Sequence, residues 1–255
     1  MSSIVKVKNM ELGTGRPKIC IPLTDANLED LRKSVQAIKH SPFDFIEWRA
    51  DFYEGMEIPE ARARAMTLFR QELDNVPVLF TIRTIPEGGM ARIDTALYTQ
   101  TILSVIESGL TDMVDVELSR GEKAMSTVIG AARRAGVRVI ASRHDFTSTP
   151  DRDTIVENLC QMQRLGADVA KFAVMPRCER DVLTLLDATL TMKENHSETP
   201  VITMSMGPMG AVSRICGELF GSAVTFGTVG KASAPGQIPA AQLSGVLKLL
   251  SQKLP

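Results

Sequence analysis

Residues 166–176 read GADVAKFAVMP. Gly166 stands where a glycine closes a helix, and residues 169–175 form an apolar run interrupted by one lysine, Lys171. Nearly continuous apolar runs, rather than strict alternation, mark parallel strands covered on both faces. Working outward, similar runs lie at 18–23, 43–51, 76–83, 113–118, 138–145, 201–206 and 223–229. A polar turn and a stretch of helical spacing follow each of them. Leu28, Leu31, Val35 and Ile38 share one helix face, with Asp25 as the expected N-cap. Ile155, Leu159 and Met162 line a helix in which Pro150 takes the first position and Gly166 follows the end. Val182, Leu185, Leu186 and Leu190 line the next, and a last helix spans about 240–253. Eight strand–helix units predict an α/β fold, a (β/α)8 TIM barrel occupying residues 1–255 as a single domain. Residues 1–15 are expected to form an N-terminal β-hairpin closing the barrel bottom. The rival is an open doubly wound sheet, which would carry a G-x-G-x-x-G turn after its first strand. Here that strand ends in Pro22-Leu23-Thr24-Asp25.

Composition narrows the function classes. The chain is 44% hydrophobic and 23% charged with a formal net charge of −1, an ordinary soluble balance offering no basic patch for nucleic acid or an anionic membrane. No apolar run approaches the ~18 residues of a membrane span. The first residues, MSSIVKVKNMELG, lack the apolar core of a secretory signal. A cytoplasmic protein is expected. Cys20, Cys160, Cys178 and Cys216 form no C-x-x-C pair, and Cys20 and Cys160 read as reduced core residues. Three scattered histidines give no metal-ligand cluster, so metal: none.

Polar residues gather at the C-terminal ends of the strands, where such barrels hold their active sites. Strand two ends in Glu47, Arg49 and Asp51; strand three in Arg83, with Glu87-Gly88-Gly89 beyond it. Strand four carries Asp115 and Glu117, and strand five ends in Arg143-His144-Asp145. Lys171 either snorkels to the surface or is used, because burying an ammonium unpaired is costly. Beside His144 on a neighbouring strand, it has the makings of an amine nucleophile with a general base. An amine and a ketone give a Schiff base, whose protonated nitrogen takes up the electrons of an adjacent carbanion. Glu87 or Asp145 would orient the imidazole. Arg49, Arg83 and Arg214 suit a small anionic substrate. His40 and His196 read as surface residues. The residues by themselves point to a Schiff-base lyase or aldolase, and leave the substrate open.

Longer segments then carry a resemblance. PKIC (17–20), FIEWRAD (45–51), LFTIRTIPEGG (79–89), SRHDF (142–146), AKFAVMP (170–176), TMSMGPMGAVSR (203–214) and FGSAVTFGTVGKASAPGQI (220–238) run in order through nearly the whole chain. The chain resembles the type I 3-dehydroquinate dehydratases. The resemblance implies a cofactor-free hydro-lyase, Lys171 as the imine-forming lysine, His144 as general base and acid, and Glu87 as its acidic partner. It also implies substrate contacts from Glu47, Arg49, Arg83, Met204, Arg214, Phe226, Ser233, Ala234 and Gln237. It further implies a lid at 231–237 and a homodimer. Two positions depart from the enterobacterial pattern: Pro22 stands in place of a serine, and Gly207-Pro208-Met209 replaces a lysine-containing loop. Another Schiff-base aldolase, transaldolase-like, or a barrel that binds without catalysis are the alternatives.

Overall fold

The computed structural model describes residues 4–230 and 233–254. The first three residues of the expected hairpin, Lys231 and Ala232 of the expected lid, and Pro255 lie outside the described residues. The chain opens with β1 (Val5–Val7) and β2 (Met10–Leu12), which pair antiparallel. Then follow β3 (Lys18–Leu23), α1 (Leu28–Ile38), β4 (Phe45–Arg49), α2 (Pro59–Leu73), β5 (Val78–Thr81), α3 (Thr95–Glu107) and β6 (Met113–Glu117). Next come α4 (Glu122–Ala135), β7 (Arg138–Asp145), α5 (Arg152–Arg164), β8 (Val169–Val174), α6 (Glu179–Asn195) and β9 (Val201–Ser205). The last part holds α7 (Ala211–Ile215), α8 (Gly217–Phe220), β10 (Val224–Thr228), β11 (Ile238–Pro239) and α9 (Ala240–Ser251).

Strands β3 to β9 pair in parallel in chain order, and β10 joins beside β3. The ring closes between β9 and the start of β10. There the Ala223 N–H donates to the Val201 carbonyl at 2.8 Å and the Thr203 N–H to Ser222 Oγ at 3.1 Å. The expected (β/α)8 barrel with its hairpin is therefore present. The short β11, which sequence reading missed, extends β10 on the barrel's upper side.

Two apolar cores explain why the strands look uniformly buried. Outward residues such as Trp48, Phe80, Val114, Val139, Phe172 and Val174 pack against the helices. Trp48 is the aromatic hub of this layer, edge-on to Tyr53, Phe69 and Phe80. Inward residues Cys20, Phe45, Leu79, Met113, Ile140, Val169, Ile202 and Val224 form a separate layer, joined by Val5, Val7, Met10 and Leu12 of the hairpin. The hairpin thus plugs the bottom of the barrel with its apolar face. Because side chains alternate along a strand, the next inward positions are Glu47, Thr81, Asp115, Ser142, Lys171, Met204 and Phe226. One step up the barrel, the lining changes from apolar to charged.

Several local expectations need correction. The N-cap of α1 is Asn27, whose side chain accepts the Asp30 N–H at 3.0 Å; Asp25 instead accepts from Ser34 Oγ. Asp151 caps α5 through the Thr154 N–H, so Pro150 precedes the cap rather than entering the helix. Strand β4 ends at Arg49, and Asp51 lies in a 3-10 turn where the chain has already bent away. Among the described residues, no helix is long and apolar enough to cross a membrane.

Candidate active site

Period-two alternation on β4, β7, β8, β9 and β10, with the loops beyond the strands, delivers polar side chains to one cavity at the C-terminal mouth, with about 500 Å³ of empty volume. Glu47, Arg49, Arg83, Glu87, His144, Lys171, Met204, Arg214, Phe226, Ser233, Ala234 and Gln237 all line it. Gly88, Phe146, Ala173 and Met206 line it as well. The same alternation could have found three of these: Phe146 follows His144 by two, Ala173 follows Lys171 and Met206 follows Met204. Pro22 is paired with Glu47 in register but does not line the cavity.

Lys171 does not snorkel. The residue is 4% exposed, and its Nζ lies 3.7 Å from Asp115 Oδ2, 3.9 Å from Glu47 Oε1 and 4.5 Å from the centre of the Phe226 ring. Its apolar chain neighbours Ala170 and Phe172 face the outer core. In the fold the head group stands between two carboxylates and over one aromatic face.

His144 Nδ1 lies 2.9 Å from Glu87 Oε2, so the partner is Glu87 and not Asp145. Asp145 accepts from the Thr147 and Ser148 backbone and hydroxyls, ordering the turn after β7. Glu87 ends a 3-10 turn (Ile85–Glu87), and Gly88 follows at φ +77°, where a Cβ would fall 2.2 Å from the Phe146 ring. Only glycine allows this turn to close against the strand carrying the histidine. Ser119 Oγ donates to the other Glu87 oxygen. Burial, reinforced by Glu117 and Asp115 and opposed by Arg83, pushes the Glu87 carboxyl up to about 7. Burial and then the positive charges of Arg83, Lys171 and Arg49 hold the His144 imidazole well below the usual histidine range. A neutral imidazole beside an ionised Glu87 donates its Nδ1–H, leaving Nε2 with a free lone pair. The site therefore offers a base beside a buried amine.

The three arginines differ. Arg49 is engaged by Asp51 through two 2.8 Å hydrogen bonds. Arg83 is enclosed by Asp115, Glu117, Glu87 and Ser142, which hold it charged well above the ordinary range despite burial. Arg214 has no carboxylate. Its Nη2 donates to the Pro235 carbonyl at 3.0 Å, Nη1 rests 4.0 Å from Met204 Sδ, and Nε has no partner. Burial pushes its pKa down to about 10, the mark of a cation lacking its counter-ion. The mouth residues Ser233 and Gln237 bind each other at 2.9 Å through both backbone and side chain. Pro235 also accepts the Gly207 N–H at 3.2 Å, and a Cβ on Gly236 would meet the Gly207 carbonyl oxygen at 2.2 Å. The Gly207-Pro208-Met209 loop is thus the ledge on which this segment rests.

Arg143 lies outside the site, bonded to Asn158 and placed over the outer face of Phe172. His40 is exposed and His196 half-buried at the end of α6. Cys20 and Cys160 are buried free thiols. Among the described residues, no group of three or more His, Cys, Asp or Glu side chains is arranged to hold a metal.

Comparisons with known proteins agree with this geometry along the whole chain. The family model of the type I 3-dehydroquinases matches residues 19–254. The 3-dehydroquinate dehydratase of Clostridioides difficile is 44% identical over 254 residues, covering 100% of both chains. The solved type I enzyme from Clostridium difficile, with covalently modified comenic acid, superposes with a TM-score of 0.96 over 99% of both chains at 44% identity. The 3-dehydroquinate dehydratase from Geobacillus kaustophilus gives 0.94 at 37% identity over 99% of both chains. With the fold, the polar mouth and full-length identity in accord, the chain belongs to the type I 3-dehydroquinase family.

Proposed function

We propose that this chain is a hydro-lyase that removes water from 3-dehydroquinate through an imine on Lys171, giving 3-dehydroshikimate. The observation that carries the reading is a buried lysine amine sharing one cavity with a histidine whose Nδ1 is held by Glu87. The Clostridium difficile relative was solved with covalently modified comenic acid, and a covalent adduct on a relative supports a covalent route.

The steps balance as follows. The Lys171 nitrogen adds to the C3 ketone and the oxygen leaves as water, forming an iminium. His144 Nε2 takes a proton from C2; the C–H electron pair becomes the C2=C3 double bond and the C=N π pair moves onto nitrogen, giving an enamine. The enamine expels the C1 hydroxyl, which takes the same proton from the imidazolium and departs as water on the same face. Hydrolysis of the iminium frees the product and the lysine. Iminium formation makes the C2 proton acidic enough for an imidazole; Glu87 fixes the Nδ1–H tautomer of the neutral base and stabilises the imidazolium that forms.

Arg214 is the one of the three cavity arginines without a carboxylate partner among the described residues, so it takes the substrate carboxylate, with Met204 and Phe226 supplying apolar walls. Arg83 and Arg49 act with their acidic partners, presenting a rigid charged rim to the hydroxyls alongside Glu47. Ser233, Ala234 and Gln237 cover the substrate and exclude water that would hydrolyse the imine early. The reading places the whole chain in one catalytic barrel, working in the cytoplasm as a homodimer. Reduction with borohydride in the presence of 3-dehydroquinate, followed by peptide mass spectrometry, tests it. A stable adduct on Lys171 is expected, and its absence rules the imine out.

A further inference from the structure

Strand β6 carries two buried carboxylates that the reaction above leaves without a task. Glu117 is fully used: Oε1 accepts from the Thr84 N–H at 2.8 Å and Arg83 Nη1 at 3.0 Å, and Oε2 accepts from Thr84 Oγ1 at 2.6 Å. Asp115 is used by half. Its Oδ1 accepts from Ser142 Oγ at 2.6 Å and lies 2.8 Å from Arg83 Nη2. Its Oδ2 is buried, has no hydrogen-bond donor, and faces Lys171 Nζ at 3.7 Å. A buried carboxylate oxygen left without a donor is costly and calls for an explanation. Glu47 Oε1, on the far side of Nζ, already accepts from Thr81 Oγ1 at 2.9 Å.

We propose that Asp115 is the positioning residue of Lys171. Its Oδ2 holds the ammonium by charge across 3.7 Å before the substrate enters and accepts the single N–H of the iminium afterwards. The proposal rests on the imine reading above. Ammonium plus ketone becomes iminium plus water, so the nitrogen carries one positive charge at both ends of the step and Asp115 neither gains nor loses a proton. What changes is the number of N–H bonds, from three to one. The remaining N–H and its charge then lie at a residue only 4% exposed and need one fixed acceptor. Asp115 meets that need because Ser142 and Arg83 clamp its other oxygen and stop the carboxylate from turning away. Arg83, assigned from sequence to substrate, thereby also acts on the lysine from behind.

Asp115→Asn keeps the shape and the contacts at Oδ1 and removes the charge. Its kcat should fall about 10²-fold with KM within about threefold, the signature of a misplaced reacting group. Borohydride trapping on Lys171 should slow by a similar factor. Ser142→Ala, which strips a donor from Oδ1 and leaves Oδ2 intact, should slow trapping by no more than about threefold. Turnover and trapping at the wild-type rate in Asp115→Asn overturn the proposal, as does slowing in Ser142→Ala greater than that in Asp115→Asn. Absence of any wild-type adduct on Lys171 instead brings down the imine reading. If Asp115→Asn is poorly folded, melting temperatures of it, Lys171→Met and the double variant decide. A double variant more stable than Asp115→Asn alone supports the pairing, and additive losses overturn it.

Discussion

The lower and upper halves of the barrel interior are built by the same strands, offset by two residues: Phe45 and Glu47, Leu79 and Thr81, Met113 and Asp115, Ile140 and Ser142, Val169 and Lys171. The lower layer is apolar, sealed by the hairpin, and contributes burial energy. The upper layer is almost as deeply buried yet polar, and its charges are held by partners from other parts of the barrel: Glu47 by Thr81, Asp115 by Ser142 and Arg83, and Lys171 by Asp115 and Glu47. Burial therefore means different things two residues apart. Below, it stabilises the barrel; above, it raises the strength of every electrostatic contact and makes each group depend on its neighbours.

The difference can be broken from the top first. Lys171→Ala should lose turnover by at least about 10⁴-fold and all borohydride adduct, because the covalent route has no substitute. His144→Ala should keep the adduct while elimination falls about 10²–10⁴-fold, separable by single-turnover kinetics. From the bottom, Phe45→Ala should cost about 3–5 kcal/mol in urea unfolding while kcat/KM of the folded fraction stays near wild type. Equal losses of activity from the two layers would abolish the distinction drawn here.

Finer tests sharpen it. With Glu87 titrating at about 7, lowering the pH through that value protonates the carboxyl. The protonated carboxyl donates to His144 Nδ1, the imidazole proton moves to Nε2, and the base is lost. Because His144 itself is held well below its ordinary range, the acid limb of kcat/KM belongs to Glu87. Activity should drop about tenfold per pH unit below the midpoint, and Glu87→Gln should remove that limb. Persistence of the limb in Glu87→Gln would assign it to another group. The smallest effect lies outside both layers: Asn27→Ala should cost about 1 kcal/mol by urea unfolding, as loss of a helix cap, with no change in kinetics.

Much of this was legible in the chain. Apolar runs with helical stretches between them specify strands and crossovers locally, so the barrel and the hairpin plug could be read in advance. The residues that the resemblance implies for the site line one cavity, whereas of the strand-end polar residues Asp51, Asp115, Glu117, Arg143 and Asp145 do not line it. The misreadings share a cause. Asp25 and Asn27 are equally good caps by type, and Asp145 and Glu87 equally good partners for an imidazole. Local sequence does not choose between two competent carboxylates or amides; the path of the backbone does.

By itself, then, the sequence determined which residues face inward, which end of the barrel is polar, and that one lysine is embedded in a buried strand. Those properties follow from alternation and burial, which are local. Only the tertiary structure decided what surrounds that lysine. The groups nearest its nitrogen come from β4, β6 and β10, far apart in the chain, and they are two carboxylates and an aromatic face rather than the apolar neighbours that flank it in sequence. The position and partners of a buried amine are set by distances across the barrel, and those exist only once the ring has closed.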